Sequence, residues 1–168
     1  MAIIIEKAKA EDAEAILNLT KVCGSETDNL SFGESGIPVS VENEASYIAS
    51  INNSDTDIFF VVRDVKEIVG TGNYTSFPKK RMAHRGEFGI SVRKSYWNQG
   101  IGTMLMEHIL DFAKNVAKSE IVSLEVRSDN EAAIHLYRKF GFEKIGTFKG
   151  YFKIGEELID FDIMELFL

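Results

Sequence analysis

The chain has 168 residues, 45% of them hydrophobic and 27% charged, enough for one cored domain spanning 1–168 with the composition of an ordinary soluble globular protein. A formal net charge of −7 argues against a general nucleic-acid binder and weakly favours cationic partners. Cys23 is the only cysteine, so no disulfide framework or thiolate zinc site is expected, and His84, His108 and His135 show no metal-ligand spacing. The opening Met1 to Ile5 is too short for a secretory signal and no apolar run approaches a membrane span, so a cytoplasmic protein with no membrane partner is expected.

In chain order, Ile3 to Lys7 reads as a first strand. Asp12 to about Val22 carries Ala15, Ile16, Leu19 and Val22 at helical spacing. Gly24 to Val39 is rich in Gly, Ser and Asn and reads as an irregular loop. Ser40 is a natural N-cap for a helix through about Ile51, with Ala45, Ile48 and Ala49 on one face. Ile58 to Arg63 and Glu67 to Phe77 form a hairpin turning at Asp64-Val-Lys66, and a fourth strand runs from about His84 to Val92. After Gly100 a helix places Ile101, Met104, Leu105, His108, Ile109, Phe112 and Val116 on one stripe. Ile121 to Arg127 is a buried strand, Asn130 to Phe140 a short helix, and Phe142 to Tyr151 and Leu158 to Phe167 two last strands. The result is an α/β (α+β) fold, a mixed sheet of about seven strands flanked by about four helices. The strands around the helix after Gly100 run parallel, and ligands in such sheets bind at the carboxyl ends of strands where neighbours diverge.

The passage from the fourth strand into that helix carries the chemistry. An apolar strand ending Gly89-Ile-Ser-Val92 is followed by a basic turn and then by Trp97-Asn-Gln-Gly-Ile-Gly-Thr103 at the helix start. The first N–H groups of a helix have no intrahelical partner, and the macrodipole adds about half a positive charge there. Phosphate or pyrophosphate suits such a place, and Gly100 and Gly102 let it approach the backbone. The string is not a nucleoside-triphosphate loop, because no Gly-Lys-Ser/Thr ending occurs. A dinucleotide site would need a third glycine where Leu105 stands, although Glu125 lies near the position of its ribose-binding acid.

Downstream stands a second string, Asn130-Glu-Ala-Ala-Ile-His-Leu-Tyr137 followed by Arg-Lys-Phe-Gly-Phe142. Together the two strings resemble the Gcn5-related N-acetyltransferase (GNAT) superfamily, of the bacterial small-molecule or protein amine type. Its acetyl-CoA motif, Arg/Gln-x-x-Gly-x-Gly/Ala, reads here Trp97-Asn-Gln-Gly-Ile-Gly102, with Trp97 replacing the usual Arg or Gln. The second string matches Asn-x-x-Ala-x-x-Leu-Tyr-x-x-x-Gly-Phe without a gap. The resemblance runs from about Ile3 to Leu168, and its specific part is Glu87 to Phe142.

The resemblance implies a splayed sheet (the acyl-CoA N-acyltransferase fold) with acetyl-CoA as co-substrate in the split. Backbone groups at Ile90, Ser91 and Val92 would hold the pantetheine arm and polarise the thioester carbonyl. Trp97, Asn98, Gln99, Gly100, Ile101, Gly102 and Thr103 would enclose the diphosphate, and Asn130 and Ala133 would face the cofactor. Tyr137 shares the Ala133 face, and its phenol, with an ordinary pKa of about 10, can protonate a leaving thiolate as general acid. A structural tyrosine bonded to backbone is the alternative reading. Glu87 shares a strand face with Gly89 and Ser91 and is the candidate base, or else the partner of a surface arginine. His84 has a suitable pKa but is more simply a surface residue. Arg93, Lys94, Arg138 and Lys139 are either solvated charges or partners for CoA phosphates.

The acceptor would be an amine-bearing small molecule, peptide, protein N-terminus or lysine. Glu26, Asp28, Glu34, Glu156 and Glu157 would favour a cation, with Phe32 and Tyr151 as apolar walls or core. The tail Gly150-Tyr-Phe-Lys…Asp160-Phe-Asp-Ile-Met resembles phosphinothricin and ribosomal-protein acetyltransferases. Many members of the superfamily dimerise, and a homodimer is expected. A non-catalytic acetyl-CoA-binding sensor or scaffold and a nicotinamide-dependent oxidoreductase are the competing readings.

Overall fold

The computed structural model describes residues 2–168. One sheet of seven strands organises them, in the order β1-β2-β3-β4-β5-β7-β6. The strands are β1 (Ile3–Lys7), β2 (Asp57–Asp64), β3 (Glu67–Ser76), β4 (Arg85–Val92), β5 (Ile121–Arg127), β6 (Glu143–Ile154) and β7 (Glu157–Phe167). Four α-helices accompany them: α1 (Ala13–Glu26), α2 (Val41–Asn52), α3 (Ile101–Asp111) and α4 (Glu131–Lys139). Every strand pair is antiparallel except β4 with β5. The expected mixed sheet with four helices is therefore present.

Strand residues alternate between two cores, as period two dictates. Phe60, Val62 and Tyr74 point to the side covered by α3, whose buried residues Ile101, Leu105, Met106 and Ile109 join Val122, Leu124 and Val126. Val61 and Ile68 point the other way, toward Ile16, Leu19 and Cys23 of α1 and Ile48 of α2. At the β1 edge, Arg63 ties the layers together, its guanidinium 2.6 Å from both Glu6 Oε1 and Asp12 Oδ1.

Two expectations need correction. The stripe on α3 holds at Ile101, Leu105, Ile109 and Phe112, but His108 and Val116 are exposed and Met104 only half-buried. Met106 and Ala113 are buried instead. Met104 and His108 lie on the flank of the buried stripe within α3, and a π-turn over Phe112–Val116 shifts the period beyond it, leaving Val116 outside. Helix α1 also continues to Glu26, past the glycine expected to end it. Gly24 is required there for closeness rather than as a terminator: a Cβ on it would lie 1.9 Å from the carbonyl oxygen of Gly33. The loop 27–40 is thus pressed onto the C-terminal end of α1.

The β2–β3 hairpin turns at Val65–Lys66 with Val65 at φ 57°. A β-branched residue is strained in that region, which tight hairpin turns normally give to glycine. Val65 is 73% exposed and has no core contact to lose. Val65→Gly is expected to stabilise the protein by about 1 kcal/mol, raising Tm by roughly 2–4 °C in thermal unfolding. A lowered Tm would contradict the strain.

Candidate active site

The site begins where β4 and β5 part. They pair only through Arg85–Ile121, Gly86–Val122 and Glu87–Ser123. Beyond that, β4 stays paired with β3 to Val92 and β5 stays paired with β7 to Arg127, but their facing edges have no strand between them. Backbone groups alternate sides along a strand. The Arg85 carbonyl accepts from Phe77 N–H, and the Arg93 N–H donates to Val69 O, both toward the β3 side. Phe88, Ile90 and Val92 therefore present their N–H and C=O groups to the gap.

A cavity of about 580 Å³ fills this gap. Phe88 to Val92 form one wall and Leu124 to Arg127 the other, with Asn130, Ala133, Leu136 and Tyr137 of the α4 region beneath. At one end stand Tyr96, Trp97, Asn98, Gly100, Ile101 and Gly102. Of the anticipated cofactor residues, only Gln99 and Thr103 lie outside the lining. Gln99 Nε2 donates to Ser95 O at 3.0 Å, while Thr103 sits in the first turn of α3.

The start of α3 is built to stay open. Asn98 at φ 59° and Gly100 at φ 81° reverse the chain into the helix, and the Gly100 conformation is one that only glycine adopts without strain. No side chain caps α3, whose first intrahelical bond is Met104 N–H to Gly100 O. The amides of Ile101, Gly102 and Thr103 are thus free for an anion, whereas at α4 the Asn130 side chain accepts from Ala133 N–H at 3.3 Å. The Trp97 indole N–H donates to Val92 O at 2.7 Å, so Trp97 ties the loop to the end of β4. A long phosphate-bearing thioester fits this arrangement: a slot with free strand edges leads to a helix terminus with free amides.

Tyr137 enters the cavity in an aromatic cluster, edge-on to Phe88 (centroids 5.6 Å apart) and Phe142 (6.1 Å). Its hydroxyl makes no hydrogen bond among the described residues, contrary to the structural alternative of a backbone-bonded phenol. Protein atoms crowd the ring while the cavity mouth leaves it half-buried, and this burial pushes the phenol up to about 12. Such a group stays protonated at neutral pH and is available as a donor.

The expected base, Glu87, is exposed and lies outside the cavity lining. Glu125, on the facing strand, is inside it. Glu87 pairs in register with Ser123, so Glu125, two residues further on, points to the same sheet face as Glu87, the α1/α2 face. Burial, then the nearby Glu87 charge, raise the Glu125 carboxyl above the usual range. Tyr137 approaches from the α3/α4 face, so acid and carboxylate meet the gap from opposite sides.

A second cavity of about 610 Å³ lies on the α1/α2 face and shares Leu30, Ser31, Gly89, Ile90 and Ser91 with the first. It contains Phe32 and an unanticipated acid, Glu44, which is only 7% exposed. Glu44, Ile48 and Ile51 stand at i, i+4 and i+7 of α2, a spacing that could have placed the acid on the buried face. Glu125 was visible only as a ribose-binding candidate, because its role depends on where β4 and β5 separate. The other anticipated groups lie elsewhere. Glu26 accepts from Lys94 N–H at 2.7 Å, Arg93 pairs with Glu67, and Lys94 sits over Trp97. Asp28, Glu34, Glu156 and Glu157 line neither cavity, and Tyr151 lines the first. None of His84, His108 and His135 reaches either cavity. Among the described residues there is no cluster of acids, His or Cys placed to hold a metal, and no helix long and apolar enough to cross a membrane.

Comparison with known proteins decides the family. The model of the acetyltransferase (GNAT) family matches residues 14–142. The chain belongs to that family. Over 65 residues it is 42% identical to the N-alpha-acetyltransferase RimI of Mycobacterium tuberculosis, covering 39% of each chain. Over 94 residues it is 32% identical to the L-amino acid N-acetyltransferase AaaT of Escherichia coli, covering 56% of this chain and 58% of that one. The chain thus spans between two fifths and three fifths of these relatives' lengths. A GNAT-family acetyltransferase structure from Streptococcus pneumoniae superposes with a TM-score of 0.94 at 29% identity, covering 99% of both chains. Acetyl-CoA is the acetyl donor of the GNAT family, and the open slot has the shape and free donors it requires.

Gly100→Ala forces an alanine into φ 81° or makes the loop relax, at a cost of about 1–2 kcal/mol. Relaxation turns the first-turn amides of α3 away from the anion. Calorimetric titration with CoA is expected to show affinity reduced about 10-fold. Unchanged affinity would mean that the α3 amides do not hold the diphosphate.

Proposed function

We propose that this GNAT protein transfers the acetyl group of acetyl-CoA to a primary amine by direct attack, with Tyr137 as general acid and Glu125 as the base that receives the amine's proton. The observation that carries the reading is the approach of these two groups to one gap from opposite sheet faces. Acetyl-CoA supplies the activated acetyl group. The chain's residues hold it, exclude water and manage two protons. Free N–H groups of Ile90 and Val92 bind along the slot, and the Ile101 to Thr103 amides bind the diphosphate. Asn130 is already engaged as the α4 cap, so it contributes by fixing that helix and with it Tyr137.

Tyr137 has a pKa well above that of a thiol, about 8.5, so it holds its proton until a thiolate forms beside it. A thiolate is a weak acceptor for so poor an acid, and transfer therefore depends on the dry Phe88/Phe142 surroundings that disfavour a charged sulfur. Glu125 has the opposite task. Its raised pKa makes it a better base than an ordinary carboxylate, and the Glu87 charge contributes to that elevation. Glu87 in this reading tunes the base. One named relative is an N-alpha-acetyltransferase and the other an L-amino acid N-acetyltransferase, and both names point to amine acceptors.

The sensor reading keeps the cofactor slot without turnover, and acetylation assays decide against or for it. Tyr137→Phe is expected to lower kcat about 100-fold with CoA affinity within a factor of about 3. In wild type, kcat/KM should rise with pH on an acid limb placed above that of a free glutamate, about 4.3. Glu125→Gln should abolish that limb, and Glu87→Gln should move it to lower pH. Full activity of Tyr137→Phe at all pH values would overturn the acid, and an unaltered limb in Glu125→Gln would overturn the base.

A further inference from the structure

The second cavity has a mainly apolar lining, including Ile16, Leu19, Phe32, Ile37, Tyr47 and Phe59. Polar groups interrupt it at Thr20, Ser31, Thr71, Asn73, Ser91 and Glu44, of which Ser91 and Glu44 mark its two ends. Ser91 Oγ is buried without a conventional hydrogen-bond partner, at the wall shared with the cofactor slot, and the Cys23 sulfur beside it is at best a weak acceptor. Glu44 is more than nine-tenths buried and forms no ion pair or side-chain hydrogen bond among the described residues. Burial alone pushes its carboxyl up. The carboxyl group opens into a mainly apolar cavity, and the protein supplies no cation to pair with it.

The two groups stand apart. Helix α2 packs on β2, whereas Ser91 is on β4. Two strand spacings separate β2 from β4, about 10 Å. Ser91 and Gly89 share the face of Phe59, Thr71 and Asn73, so one continuous trough, floored by Thr71 and Asn73 and walled mainly by apolar side chains, joins the reaction end to Glu44.

We propose that the second cavity binds the acceptor and that Glu44 pairs with a second, non-reacting cation on it, which makes the preferred acceptors small α,ω-diamines. The proposal rests on the acetyl-transfer reading above and narrows it to a substrate class. The trough suits a short chain of methylenes between the nitrogens, which must cross at least the two strand spacings from β4 to β2. At the Ser91 end the nitrogen forms the new C–N bond as the C–S bond breaks. One proton leaves the reacting amine to Glu125, and the thiolate receives one from Tyr137. At the far end the second amine keeps its proton and its pairing with Glu44. Attack by both ends at once is excluded, because an amine held as ammonium by a buried carboxylate is no nucleophile.

The test compares 1,5-diaminopentane with pentylamine, which differ only in the second cation. With CoA present, calorimetric titration of the wild-type protein should show the diamine bound at least 10-fold more tightly. Acetylation should show the same preference in kcat/KM. Glu44→Gln should erase the preference by weakening the diamine alone, leaving pentylamine within 2-fold, and Glu44→Asp should keep part of it. The wild-type comparison needs no variant and so stands whether or not Glu44→Gln folds. Equal affinity of wild type for both amines, or an equal loss for both in Glu44→Gln, would overturn the proposal. Turnover of pentylamine without diamine preference would sink the proposal while leaving acetyl transfer intact. Glu44-dependent diamine binding without thiol release would support the site and overturn the acetyl-transfer reading.

Discussion

The early parting of β4 and β5 is the constraint on which the rest of the molecule depends. Three residue pairs join them, and both strands then continue, each held on its outer edge by a full-length antiparallel neighbour. Unpaired backbone groups inside a protein demand a partner. A fully zipped sheet would satisfy them internally and leave no slot. Here a ligand with amides of its own can complete the sheet from within, and the chain directs its end toward the uncapped start of α3. Gly100, the Trp97 bond to Val92 and the capped start of α4 all serve to keep that opening fixed.

The same gap sets the electrostatics. Burial raises the Tyr137 phenol and, with the nearby Glu87 charge, the Glu125 carboxyl. The phenol is kept protonated and the carboxylate is made more basic. Strand alternation turns Glu125 to the α1/α2 side, while Tyr137 reaches the gap from α4 on the other side. The second cavity lies on the Glu125 side, which is where an amine must arrive if its proton is to go to that residue. Its shared wall, Gly89 to Ser91, is the only β4 segment common to both cavities.

Most of the architecture was legible in local signals. Ser40 and Asn130 each cap the helix expected of them, and the Asp64 to Glu67 turn lies where hydrophobic alternation breaks. The slot was legible because its determinants are contiguous: the end of β4, the glycine loop and the α3 start occupy one stretch of chain. What escaped notice depends on long-range placement. Glu125 and Glu87 look alike as acids on neighbouring strands, and only the point at which those strands separate puts one inside and the other outside. Glu44, in Val41-Glu-Asn-Glu44, belongs to no motif, and it is the packing of α2 that turns it inward. The acids of the 24–39 segment, chosen for composition, instead bond backbone or face solvent. The π-turn after α3 had no compositional mark, so the helical stripe was carried past its true end.

The most direct test of the account is a crystal structure of the protein with CoA bound. The account predicts a pantetheine arm lying between Phe88–Val92 and Leu124–Arg127, hydrogen-bonded to Ile90 and Val92, with the diphosphate on the amides of Ile101 to Thr103. Ordered CoA lying anywhere else, with the two strand edges still unpaired, would contradict it.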